Sequence, residues 1–110
     1  MAVSVEASGT QTATVNTEHT LHTSTKAKIF VLMADTGLMQ NGDELELRIT
    51  TVVLSGGTVR LAYLASYAHV QAEPIKLSIP VPTTGNGNTA FTLKQTAGTG
   101  RAFPWGVLSV

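Results

Sequence analysis

The chain has 110 residues and a mass of 11.5 kDa, which fits one domain with one sizeable core. Hydrophobic residues make up 43%, which excludes general disorder. Charged residues make up only 13%, and seven basic groups balance seven acidic ones, a poor basis for a phosphate-driven nucleic-acid binder or a polybasic membrane attachment.

There are no cysteines, so disulfides, thiolate zinc sites and cysteine nucleophiles are excluded. No apolar run approaches the ~20 residues of a membrane-spanning helix, and Met1–Glu6 shows no basic stretch leading into a long apolar one, so no secretory signal is expected. The polar surface is built largely from hydroxyls, with seventeen threonines, seven of them crowded between Thr10 and Thr25. Zero net charge does little to keep molecules apart in solution, which favours lasting contact with other subunits.

Residues 1–25 read as a Thr-rich N-terminal arm and edge strand, and residues 26–110 as the folded β domain. Met1 to about Gly9 has no apolar period. The run from Thr10 to Thr25 offers only Ala13, Val15 and Leu21 to a core. Its β-branched threonines nevertheless favour extended backbone. Val3, Val5, Thr10, Thr12 and Thr14 are therefore expected to contact neighbouring subunits, the arm adding a strand to an adjacent copy.

Ile29–Ala34 is continuously apolar and ends at Asp35-Thr36-Gly37, which predicts a central strand covered on both faces, with Phe30 and Leu32 in the core. Asn41-Gly42 is a strong turn signal because both residues tolerate positive φ. Leu45, Leu47 and Ile49 then alternate with Glu44, Glu46 and Arg48, the mark of a strand with one wet face. Val52–Leu54 extend it to a compact turn at Ser55-Gly56-Gly57, and a long partner strand runs from Thr58 towards Val70.

After Glu73-Pro74, Ile75, Leu77, Ile79 and Val81 alternate with Lys76, Ser78 and Pro80, so Leu77 and Ile79 are expected in the core. Pro80 marks a sheet edge or the end of that strand. Phe91 and Leu93 define the next strand and Phe103, Trp105 and Val107 the last, all with core-facing apolar groups. No window carries the helical period. The fold expected is all-β, one antiparallel β-sandwich of jelly-roll or immunoglobulin-like type with about seven or eight strands and an extended N-terminal arm.

The residues of chemically reactive type have plain structural readings. His19 and His22 are spaced for a metal on a helix, but on a strand an odd offset sends them to opposite faces. His69 shares a face with Tyr67, and no Gly-x-Ser-x-Gly elbow provides it with a nucleophile. Asp43, Glu44 and Glu46 resemble an acid/base or calcium group, but Glu44 and Glu46 fall on a wet strand face where a base such as Arg60 can pair with them. Gly98-Thr99-Gly100-Arg101 lacks the spacing of a phosphate loop and reads as a turn. No catalytic, cofactor or metal residue is expected. Two rivals belong to other classes: a carbohydrate- or host-binding module using Tyr63, Tyr67, Asn86 and Asn88, and a hydrolase using the carboxylates near Asp43.

Two stretches carry a resemblance: Leu38–Ile49 running into Val53–Tyr63, and Phe91-Thr92-Leu93-Lys94-Gln95-Thr96-Ala97-Gly98-Thr99-Gly100-Arg101-Ala102-Phe103-Pro104-Trp105. Together, over residues 17–110, the chain resembles small β-rich virion structural proteins of tailed bacteriophages. The resemblance implies a capsid decoration or cement protein, with a neck or tail component as the alternative. It also implies binding to the major capsid protein or other virion subunits, homo-oligomers, and residence in the virion after synthesis in the host cytoplasm; the charge balance already argues for no nucleic-acid and no membrane partner.

Overall fold

The computed structural model of the chain describes residues 2–110. Nine strands account for the regular structure: β1 (Ser4–Thr12), β2 (Glu18–Ser24), β3 (Ile29–Asp35), β4 (Glu44–Thr51), β5 (Arg60–Ala68), β6 (Ile75–Leu77), β7 (Val81–Pro82), β8 (Thr89–Ala97) and β9 (Ala102–Ser109). No helix occurs among the described residues. All strand pairs are antiparallel. Sheet I has the order β1-β9-β3-β6, with β7 also on β3, and sheet II the order β2-β8-β4-β5.

Alternation explains how the two sheets share one core. Phe30, Leu32 and Ala34 of β3 and Phe103 and Val107 of β9 point inward from sheet I. Leu45, Leu47 and Ile49 of β4 and Phe91 and Leu93 of β8 meet them from sheet II, and none is more than 1% exposed. The Phe30 and Phe91 rings contact edge to face, with centroids 5.4 Å apart, a favoured aromatic geometry. Each of these side chains larger than Ala34 contributes roughly 1.5–3 kcal/mol by leaving water. Trp105 is half-buried against the margin of this cluster, covered by β1: a Cβ on Gly9 would stand 3.4 Å from the indole.

Several expectations need correction. Leu77 and Ile79 are not core residues; they are 54% and 59% exposed. Leu77 pairs with Met33 and Lys76 with Ala34, so Lys76 is the residue of β6 that turns inward. At the sheet margin its ammonium lies 5.0 Å from the centre of the Tyr67 ring, a cation–π contact that accommodates an inward lysine. The single strand expected over Ile75–Val81 is broken into β6 and β7. Between them, Ser78 donates its N–H to Leu32 O at 2.8 Å and its Oγ accepts from Leu32 N at 2.9 Å. Likewise, β4 ends at Thr51 instead of running to Leu54; the turn expected at Ser55-Gly56-Gly57 is present, Gly57 N donating to Leu54 O at 2.9 Å, but inside a longer loop over 52–59.

The expected arm is also folded into the sheet. Val5, Thr10 and Thr12 lie in β1, which pairs along β9 from Ser4↔Ser109 to Thr12↔Ala102 with a bulge between Val5 and Ala7. Val3 immediately precedes it and Thr14 follows it. Met1 lies outside the described residues. The bulge residue Glu6 accepts hydrogen bonds from Lys28 Nζ at 2.7 Å, Lys26 Nζ at 2.9 Å and Ser109 Oγ at 2.6 Å, tying β1 to β9 and to the β2–β3 connection. These donors, Lys28 foremost, then Ser109 and Lys26, lower its pKa from 4.5 to about 2.

Candidate interaction surface

The outward faces of the two sheets differ in chemistry. On sheet II, Arg48 pairs with Glu46 at 2.9 Å and lies 3.7 Å from Glu18, while Lys94 sits in register with both acids. This is the wet face predicted from β4, although the base that engages Glu46 is Arg48; Arg60 stands at the far end of β5 opposite Thr51.

Sheet I turns an apolar face outward. Ile29, Val31 and Met33 of β3 alternate with its buried residues, Leu108 pairs with Val31, Val5 with Leu108, and Ile75 and Leu77 with Asp35 and Met33. Val5 is 66% exposed and Ile75 51%. A groove of about 400 Å³ crosses this face, lined by Val5, Met33, Ile75, Pro104, Trp105 and Leu108. Asp35 is the acidic group in this groove, and its carboxylate accepts a hydrogen bond from Gly37 N at 2.8 Å. The continuous apolar run Ile29–Ala34 predicted cover on both faces of β3. Within one chain only the even-numbered face is covered.

The residues weighed for chemistry hold the loops together. Asp43 is 1% exposed. Its Oδ2 accepts from Arg101 Nε at 2.8 Å and Gln40 N at 2.8 Å, and its Oδ1 from Thr99 N at 3.1 Å. Burial opposes ionisation, but the Arg101 guanidinium and the two amides outweigh it and hold the carboxyl below its ordinary value. Gly98 approaches so closely, at φ 90°, that a Cβ there would run into the Asp43 carboxylate. Gln95, fully buried, donates from Nε2 to Thr99 O and Ala97 O and accepts from Arg101 N, completing the turn predicted at Gly98–Arg101. His69 adopts a left-handed backbone (φ 67°); its N–H donates to Asp43 O and its Nδ1 accepts from Gly42 N at 2.9 Å.

Asp43 and the pair Glu44 and Glu46 therefore face different surroundings. The latter two border a shallow polar groove of about 290 Å³ with Ser66, Tyr67 and Thr96. The odd offset predicts opposite faces for His19 and His22, but a bulge between Thr20 and His22 undoes it, so both pair with inward residues, Leu93 and Phe91: His19 bonds to Gln11 and Thr14, and His22 stacks on Phe91. Among the described residues, no three His, Asp or Glu side chains gather as a metal-ion group. Tyr63 and Tyr67 turn inward against the core, and burial, reinforced by Tyr67, pushes the Tyr63 phenol up to about 12. Asn86 ties its loop to Val53 O at 3.1 Å.

No family model, no curated protein and no solved structure matches the chain.

Proposed function

We propose that this chain is a structural protein of a tailed-bacteriophage virion, a capsid decoration or cement protein of jelly-roll β-sandwich type that docks through the outer face of sheet I. The sandwich assignment is supported by the strand pairs β1·β9, β2·β8, β3·β6/β7 and β4·β5, distributed over two sheets. This pairing supports the jelly-roll reading, in which one long antiparallel hairpin winds around a core, a plan that recurs in viral capsid and lectin domains. Fold alone does not assign a role.

The observation that carries the role is the apolar outer face of sheet I. A strand apolar on both sides is normal only where both sides are covered. Ile29, Val31 and Met33, flanked by Ile75, Leu77 and Leu108, lack that second layer within one chain. Four strands ~4.8 Å apart and about seven residues long span roughly 400 Å² in plan, about half the ~800 Å² that each partner contributes to a standard stable interface. Such a contact is weak alone and strong when repeated on a lattice of major capsid subunits, where multivalency multiplies small affinities.

The test is sedimentation of particles, through a density gradient, from lysed cells that carry the gene. The chain is expected to travel with the particles, and Ile75→Glu with Leu77→Glu is expected to release it while leaving the fold intact. A chain that stays in the soluble fraction while particles sediment would overturn the proposal.

A further inference from the structure

Beyond docking through sheet I, the geometry points to the free edge of β5 as a strand-pairing site for a second copy of this chain. Exposed sheet edges present unpaired N–H and C=O groups, and proteins blunt them with charge, proline, brevity or cover. Here the edges differ in how they are treated. On one side of the molecule β1 and β2 are bridged by side chains: Gln11 Nε2 lies 3.2 Å from His19 Nδ1, and Thr14 N donates to His19 Nε2 at 3.1 Å. On the other side β6 and β7 are three and two residues long, with Pro74, Pro80 and Pro82 around them.

β5 has none of these devices over 61–66; towards its end Lys76 reaches the Tyr67 ring and Gln71 Nε2 donates to Ala68 O at 2.7 Å. It is nine residues long and ends the order β2-β8-β4-β5. After Arg60 it reads Leu-Ala-Tyr-Leu-Ala-Ser-Tyr-Ala, without a charge or a proline. Its pairing with β4 is regular from Tyr63 to Ala68, the bulge falling before that stretch. Leu61 and Leu64 are about half exposed, both on the outward face beside it.

The occupant follows from this neutrality. An antiparallel pair of β5 strands about a two-fold axis places the same patch on both partners. No register within 61–68 sets like charges against each other, which is what penalises wrong strand pairs. Pairing would join two four-stranded sheets into one of eight and satisfy about six backbone groups now left to water on the free edge, Ala68 O being already engaged by Gln71. Leu61 and Leu64 of the two copies would then cover each other on the outer face.

The experiment uses the full chain alone in solution, so it is independent of any virion. Sedimentation equilibrium from micromolar to near-millimolar concentration should show the mass doubling. Hydrogen exchange at the β5 amides should slow by about tenfold over the same range, with β1 and β2 unchanged. Leu64→Glu, which sets a carboxylate beside Arg48 within the monomer, should return the mass to that of a single chain; Leu77→Glu, on the sheet I face, should not. A monomer throughout with concentration-independent β5 exchange would overturn the inference. So would a dimer that Leu77→Glu abolishes and Leu64→Glu leaves intact. The exchange measurement on the unaltered chain decides the matter even where a variant fails to fold.

Discussion

Arg101 donates from Nε to Oδ2 of Asp43 at 2.8 Å, joining the entrance of β4 to the β8–β9 turn across 58 residues of sequence. The carboxylate is buried and each of its oxygens is engaged, so it cannot be removed without leaving the amides of Gln40 and Thr99 unsatisfied. Asp43→Ala is expected to cost roughly 3 kcal/mol, the range for breaking a buried charge-assisted cluster, with Arg101 partly relieved by water. Urea unfolding checks it through a lower midpoint at an unchanged slope.

Gly98→Ala should act on the same cluster without touching its charges. The left-handed φ of 90° and the contact with Asp43 both oppose a side chain. A loss of about 2 kcal/mol is expected, and it should be smaller in an Asp43→Ala background, because part of it arises from that shared contact. A double-mutant cycle by thermal unfolding measures the coupling.

Acid should loosen β1 first. The pKa of Glu6 is lowered from 4.5 to about 2 in the folded chain, so its stabilising contribution is complete above pH 4.5 and is lost as pH falls towards 2. Trp105, the sole tryptophan, is covered by Gly9 of β1. Its fluorescence should therefore shift to the red across that window. Glu6→Gln should flatten the response, leaving only the transition to which Asp43 contributes at its own lowered pKa.

Core and face residues should separate cleanly on truncation. Leu47→Ala, at 1% exposure, is expected to cost about 3 kcal/mol through lost burial and a cavity. Leu77→Ala, more than half exposed, should stay within about 0.5 kcal/mol. Denaturant titration of both variants tests the reassignment of Leu77 from the core to the outer face.

That reassignment shows where sequence periodicity loses its meaning. Leu45, Leu47 and Ile49 could be read from sequence because charged residues mark their opposite face as wet. In β6 the same alternation defines an apolar face without saying which side the core lies on. The inward residue is Lys76, which reaches the Tyr67 ring at the margin. β1 was legible only as an extended segment, because its inner positions are Ala7, Gly9 and Gln11, small or polar groups that cover Trp105 without an apolar period. The strand order rests on long-range pairing such as β1 with β9, for which no local residue pattern codes. The outer face of sheet I did leave a trace, in the unbroken apolar run Ile29–Ala34.

Docking through sheet I is tested by a reconstruction of the assembled particle at a resolution that separates β-strands. The two sheets of this chain are expected on the shell, with Ile29, Val31, Met33, Ile75 and Leu77 buried against a neighbouring subunit. Particles that lack the chain, or that carry it with this face turned to solvent and the charged face of sheet II against the shell, would contradict that docking.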